Sequence, residues 1–410
     1  MINIAVLGYG VVGSGVVEVL RMNKGIIDAN AGKKVRIKYV LDIIDFPNDP
    51  VQEFIVHDFD TILNDEEVDI VVEAMGGLEP AYTFVKQALL YKKHVCTSNK
   101  ALVAEYGNKL IKYAKENNVS FLFEASCGGG IPIIRPLNTA MVADDISSIV
   151  GILNGTTNYI LTHMEKESLS FDDVLREAQR LGYAEKNPAS DIEGTDTCRK
   201  LAILSSIAYD NYFDYKEIKT EGITNIDIND MLYAKAIDKK IKLLGFSKKE
   251  DGENTFAIVA PFLISNNNPL YNVNDVLNAI LVHGNAVNDV MYYGSGAGKL
   301  PTASAVVSDI VEIAKNIDRH IPLRWNSEKL ELSDIKDIKF RYFVRIKGNK
   351  NEMQDELEHI FGSLKKVISL DEIYGEFAVI TNYMSENRFN EVTKDLDCVL
   401  NRIRIFNENK

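Results

Sequence analysis

A patch of basic residues is the first thing the sequence lacks. Lysine and arginine are spread along the 410 residues, the formal net charge is −13, and no segment gathers the cations that hold nucleic acid or an anionic membrane. Nucleic-acid partners are therefore not expected. Long apolar runs are missing too: none approaches the ~20 residues of a membrane-spanning helix, so no membrane partner is expected either. The N-terminus opens on INIAVLG, with no charged stretch and cleavage site before it, and the expected location is cytoplasmic. The four cysteines, Cys96, Cys127, Cys198 and Cys398, show no metal-ligand spacing, which suits a reducing compartment. With only six scattered histidines a zinc site is not expected. Internal repeats and low-complexity segments are absent.

What is present is an ordinary globular composition, 46% hydrophobic and 26% charged, over a length that asks for two or three domains. Ile2 to Leu7 form an apolar, β-branched run that ends in GYGVVGSG, after which the apolar period becomes helical. Gly8, Gly10 and Gly13 fit G-x-G-x-x-G, with Val11 and Val12 opening the helix. Glycine suits such a turn because the backbone is unusual, a pyrophosphate must approach the main chain, and the helix packs closely on the strand. The next strand, Val35 to Leu41, ends at Asp42 in LDIIDFPND, acidic and without a basic residue. A carboxylate there bonds the ribose 2′-hydroxyl of NAD, whereas NADP enzymes place a cation nearby, so the cofactor is NAD or NADP with NAD preferred. Asp42 also reads simply as the start of a turn.

Strands at Val68–Glu73, around HVCTSNK and at Val119–Phe123 alternate with helices at Glu79–Tyr91 and Leu102–Asn117, which predicts an open parallel sheet. Ligands lie beyond the carboxyl ends of such strands, where Glu73, Asn99, Lys100 and Glu124 fall. Lys100 reads equally as a surface lysine whose stem covers apolar neighbours. From about Asp144 the pattern changes to strands at SSIVGILNG, Phe256–Ile264 and Asn278–Val282, a hairpin partner VNDVMYYG, and helices at Phe171–Leu181 and from Thr195 to about Ala208. A helix from Thr302 to Ile317 follows YYGSGAGK. After Lys339 the order is β-α-β-β-α-β, a ferredoxin-like unit.

The stretch GYAEKNPASDIEGTDTCRK, Gly182 to Lys200, gathers a lysine and several carboxylates. Asp196 and Lys200 are four apart on one helix, so they meet on one face. Alone, that spacing reads first as a solvated loop followed by a surface ion pair, and only second as a site.

Together with Ala178, this stretch resembles the signature of the homoserine dehydrogenase family, and so do TSNK at Lys100, EASCGGGIP at Glu124, GILNGTTN around Gly155 and GSGAGKLPTASAVVSD from Gly294. The resemblance covers roughly residues 2–317. It implies an α/β chain: a Rossmann-type dinucleotide-binding domain at 1–130 completed by residues after about 295, an α+β substrate and dimerisation domain at 131–318, a linker at 319–337, and an ACT-like domain at 338–410. The implied reaction interconverts L-aspartate 4-semialdehyde and L-homoserine with NAD(P), in threonine and methionine biosynthesis, by a homodimer or homotetramer. Carried over position by position, Lys200 is the acid/base with Asp196 beside it. Glu185, Asp191, Tyr183, Gly155 and Thr156 surround the small-molecule substrate, Lys100 lies between substrate and cofactor, and Gly298 borders the cofactor. A sodium ion is implied near Glu124, through its carboxylate region, and near main-chain oxygens of Cys127, Gly129 and Ile131. Cys127 replaces the family's common Val, a change a backbone ligand tolerates. In the tail, IKGNKNEMQDELEH stands where ACT domains usually carry Asp-x-Pro-Gly. The competing class is a dinucleotide-sensing regulator without turnover, which leaves the residues from Glu185 to Lys200 unexplained.

Overall fold

The structure, a computed structural model, describes residues 1–250 and 254–406, so the last four residues of the expected C-terminal unit lie outside the described residues. β1 (Ile2–Leu7) is buried at every position, as a strand covered on both faces must be. With β2 (Val35–Leu41), β3 (Ile55–Val56), β4 (Ile70–Glu73), β5 (His94–Thr97) and β6 (Phe121–Leu122) it forms a parallel sheet of order β3-β2-β1-β4-β5-β6. The strand order reverses between β1 and β4, and the crevice for a ligand opens there. Gly8, Asp42 and Ala74 follow the strands that flank it. The crossovers are α1 (Val11–Met22), α2 (Lys24–Ala31), α3 (Phe59–Leu63), α4 (Ala81–Leu90) and α5 (Lys100–Glu116). β1 and β2 have the expected bounds. β3 and α3 had no counterpart in the sequence reading, because such short elements show no period.

The second sheet begins with β7 (Ile146–Ile152), β8 (Lys219–Thr220), β9 (Lys239–Lys249), β10 (Thr255–Ser265), β11 (Leu277–Gly284) and β12 (Asn288–Ser295). Its antiparallel run is β12-β11-β7-β9-β10, with β8 parallel to β10. Helices α6 (Gly155–Glu167), α7 (Phe171–Leu181), α8 (Ala189–Ile192), α9 (Thr195–Tyr209) and α10 (Ile228–Ala236) accompany it. α9 is buried along most of its length and packs on β7 and β9. β9 escapes sequence reading because Lys242 interrupts its apolar centre. That lysine is 1% exposed and donates to the Asn158 side chain and the Val273 carbonyl, and burial pulls its pKa down to about 7. α10 was also missed; it starts at a capping box in which Asp227 and Asp230 each accept the other's backbone N–H. α11 (Lys299–Lys315) returns to the first sheet and packs on α1 so closely that a Cβ on Gly15 would lie 2.8 Å from the Lys299 carbonyl oxygen.

The C-terminal elements are β13 (Lys339–Lys347), α12 (Lys350–Phe361), β14 (Lys366–Ile368), β15 (Glu376–Ile380), β16 (Met384–Ser385), α13 (Glu386–Thr393) and β17 (Val399–Ile405). Their sheet order, β17-β13-β15-β14, is that of a ferredoxin-like unit, but it does not stand apart. β17 pairs in parallel with β10, Arg404 opposite Phe262, and the two sheets fuse into one of eleven strands. Residues 319–337 form an irregular strap anchored by Trp325, which is buried beside Gly107 and edge-on to Phe123. Among the described residues, no helix is long and apolar enough to cross a membrane.

Candidate active site

The glycine turn after β1 is closed by its own backbone. A Cβ on Gly13 would lie 1.9 Å from the Gly8 carbonyl oxygen, so nothing larger than glycine fits. At Gly10 the reverse holds: a Cβ would meet nothing within 4 Å, so the backbone is open to an approaching group. Gly10 begins α1 without a side-chain cap, and the first-turn amides of Val11 and Val12 are donors that an anion can accept from. A cavity of about 420 Å³ lies beside this turn, lined by Gly8, Gly10, Asp42, His57, Met75 and Phe84 among others. Asp42 also holds the turn, accepting from Tyr9 N at 2.8 Å and Ile44 N at 3.3 Å. Asp42 therefore holds the turn, as one of its two sequence readings expects, and it also lines the cavity.

The two residues read as a possible surface ion pair lie inside the protein. Asp196 is 2% exposed and Lys200 7%. Lys200 Nζ is 2.8 Å from Asp196 Oδ2 and donates to the Leu153 carbonyl at 2.8 Å. Lys100 Nζ, at the first turn of α5, reaches the other oxygen, Asp196 Oδ1, at 2.7 Å. Asp196 thus bridges two lysines from two helices, α5 beside the first sheet and α9 on the second. Burial alone would raise its pKa, but the Lys200 and Lys100 ammoniums outweigh burial and hold the carboxyl well below the usual carboxylate range. Burial opposes the charge on Lys100, and Asp196 overrides it, so the pKa of Lys100 rises.

Asn154, which caps α6 by accepting from Thr157 N, donates to both Asp191 Oδ1 at 2.7 Å and Asp196 Oδ2 at 2.9 Å. The sequence reading passed over it, although an asparagine directly before a helix is a cap signal. The pKa of Asp191 is raised, first by burial and then by the nearby Asp196. Thr156 donates to the Tyr183 carbonyl at 2.7 Å, and the Tyr183 ring, 46% exposed, lies 5.0 Å from that of Tyr159. Gly155 permits the close approach of the Val276 carbonyl, 2.7 Å from where a Cβ would stand. Glu185 is exposed, and among the described residues no hydrogen bond or ion pair joins its carboxylate to this cluster. Glu73, one of the four residues expected beyond the carboxyl ends of the strands, is buried and accepts from Met75 N, Gly76 N and Thr97 Oγ1, tying the turn after β4 to the end of β5.

A family model described as homoserine dehydrogenase matches residues 132–311, and one described as its NAD-binding domain matches 8–124. The chain is 36% identical to homoserine dehydrogenase of Bacillus subtilis, over 97% of this chain and 95% of that protein. The chain belongs to the homoserine dehydrogenase family. The crystal structure of a homoserine dehydrogenase from Thiobacillus denitrificans superposes with a TM-score of 0.91 at 35% identity, covering 99% of this chain and 98% of that one. A hyperthermophilic archaeal homoserine dehydrogenase in complex with NADPH matches with a TM-score of 0.65 at 27% identity, over 78% of this chain and 99% of that one. The family interconverts homoserine and aspartate semialdehyde with NAD(P), and strands β2 to β6 of the parallel sheet and the lysine–aspartate cluster lie within the residues that its models match.

The turn at which a cation is expected is organised by one carboxylate. Glu124, 3% exposed, accepts through Oε1 from Ile133 N at 2.6 Å and Ile134 N at 2.8 Å, and through Oε2 from Arg135 N at 2.8 Å. Its carboxylate closes the turn that follows, the segment between Glu124 and Arg135 that contains Cys127, Gly129 and Ile131. Among the described residues no group of His, Cys, Asp and Glu side chains forms a metal cluster. Gly298, at the start of α11, has φ +124°, and its loop crosses the Gly129 turn, where a Cβ would lie 2.3 Å from the Gly296 carbonyl oxygen.

Proposed function

We propose that the chain interconverts L-aspartate 4-semialdehyde and L-homoserine, with Lys200 as the group that gives and takes the proton. The observation that carries the reading is the Asp196 bridge, which sets two ammoniums where the cofactor sheet meets the substrate sheet. A bound nicotinamide supplies or accepts the hydride. As the aldehyde carbon is reduced its oxygen becomes an alkoxide, which a nearby ammonium stabilises and protonates. An ammonium has three donors, and Lys200 spends two, on Asp196 and on the Leu153 carbonyl, leaving one for the reacting oxygen. Asp196 fixes the direction of that donor. Lys100 is half-exposed and adds positive charge on the cofactor side. Asp191, with Thr156 and Tyr183 near it, receives the substrate ammonium through charge-assisted hydrogen bonds, and Glu185 belongs to the same wall on the solvent side.

The open Gly10 backbone, the uncapped start of α1 and the 420 Å³ cavity suit a dinucleotide. Asp42 lines that cavity and neither lysine nor arginine does, which favours NAD over NADP. A monovalent cation such as sodium would be held by main-chain oxygens of Cys127, Gly129 and Ile131, hard donors that suit such an ion. The C-terminal unit is read as ACT-like on its strand order. β12, an edge strand with Met291 and Tyr293 exposed, is the face for pairing copies into a dimer or tetramer.

The test is NADH consumption with L-aspartate 4-semialdehyde against neighbouring aldehydes. Turnover confined to the aspartate-derived aldehyde is expected, with kcat/KM higher for NADH than for NADPH; a clear NADPH advantage would overturn the Asp42 reading, and no turnover the function.

A further inference from the structure

The family models end at residue 311, yet β17 carries an arginine into the wall of the substrate half. Arg404 is 3% exposed and grips Glu221 with both terminal nitrogens, Nη1 to Oε2 at 2.6 Å and Nη2 to Oε1 at 3.0 Å. Nη2 also donates to Glu386 of α13 at 2.7 Å, and Glu386 receives Lys219 and Arg402 as well. Burial opposes ionisation of Glu221, and the guanidinium outweighs it, so the carboxyl sits below its ordinary pKa. Such a two-pronged, desolvated pair fixes the direction of both partners.

Glu221 does not end in the tail's own core. Its backbone N–H donates to the Val259 carbonyl at 2.7 Å, which sets β8 against β10. Two residues on, Ile223 N donates to the Ile192 carbonyl at 2.8 Å. Between them Gly222 lies against the same turn: a Cβ there would be 2.2 Å from Ile192 O and 2.6 Å from Glu193 Cα. On the opposite side is Gly194, φ +85°, where a Cβ would stand 3.0 Å from Thr220 Cγ2. The residues so clasped, Ile192 to Gly194, join Asp191 to the helix that begins at Thr195 and carries Asp196.

We propose that Arg404 is a positioning residue for the amino-acid half of the site: through Glu221 the C-terminal unit holds the turn between Asp191 and Asp196 in place. This rests on the functional reading above. The pair touches the substrate wall and not the Gly8–Gly13 turn, so it should act on one substrate and spare the other.

The experiment compares the full-length chain with Arg404→Lys, Glu221→Gln and the double variant. KM for aspartate 4-semialdehyde should rise about fivefold or more while KM for the dinucleotide stays within about twofold, a coupling of ordinary allosteric size. The two single effects should not add, since both remove the same contact. Independently of activity, amide hydrogen exchange at Ile192, Glu193 and Ile223 should quicken in the variants while that of β1 is unchanged. A lower Tm with both KM values unchanged, or both raised together, overturns the proposal. Glu221→Gln keeps the side-chain shape and carries both readouts if Arg404→Lys does not fold. A wild-type chain without turnover refutes the functional reading alone, because the exchange measurement still decides the clasp.

Discussion

Two buried ionic clusters in this chain use the same charges to opposite ends. In the C-terminal unit Arg345, 4% exposed, gives four of its five N–H groups to three carboxylates: Nε and Nη2 go to Glu376 at 3.1 and 2.9 Å, and Nη1 goes to Asp227 and Asp230 at 2.5 and 3.0 Å. In the substrate half the ratio is reversed. One carboxylate, Asp196, serves two lysines, and neither ammonium is saturated by protein groups among the described residues. A cation enclosed by an excess of carboxylates holds elements together, whereas cations in excess over their carboxylate have charge and donors to offer a ligand. The balance of charge separates the two: three carboxylates surround one cation in the first, and two cations share one carboxylate in the second.

The comparison breaks most visibly at Arg345. Arg345→Ala leaves Asp230 and Glu376 buried without their partner, and unfolding free energy should drop by about 3–5 kcal/mol, read from denaturant midpoints, with kcat of the folded fraction unchanged. A fall in kcat with stability kept would place Arg345 in the machinery and erase the distinction. Next in size is Asp196→Asn, which leaves the two lysines without their shared counter-charge; kcat should fall about 100-fold, the scale of one lost electrostatic contact at a reacting centre. The same variant sharpens the comparison in pH. The pKa of Asp196 is lowered on folding, so its contribution to stability is present above the unfolded carboxylate value of about 4 and is lost as the pH falls below it. The Tm gap between the wild-type chain and Asp196→Asn should therefore narrow on acidification below about pH 4. A gap that stays constant through that range would mean that Asp196 is not held ionised by its lysines.

Much of this was legible from residues alone, and the exceptions have physical causes. β1, β2 and α7 could be bounded because they are uniformly or periodically apolar and end at glycine or a charged turn. Lys200, Asp196 and Asp191 were singled out by spacing and by resemblance. That Lys100 meets Asp196 was not, because it depends on how two sheets are set against each other, which no local pattern encodes. Asn154 carries an ordinary cap signal, and its second role as a bridge between two aspartates exists only in the fold. Glu124 is a similar case: its carboxylate accepts from three backbone N–H groups nine to eleven residues on, contacts that no local pattern displays. The C-terminal order β-α-β-β-α-β was readable, but its fusion to β10 rests on a two-residue ladder and on Arg404, which look ordinary in sequence.

The central claim is that Lys200 moves the proton, and Lys200→Ala tests it most directly when kcat and dinucleotide Kd are measured on the same preparation. The account predicts a kcat lower by about 10²–10⁴, the usual worth of a positioned acid/base, with Kd for NADH within about twofold of the wild-type chain. An unchanged kcat, with the cofactor still bound, would contradict it.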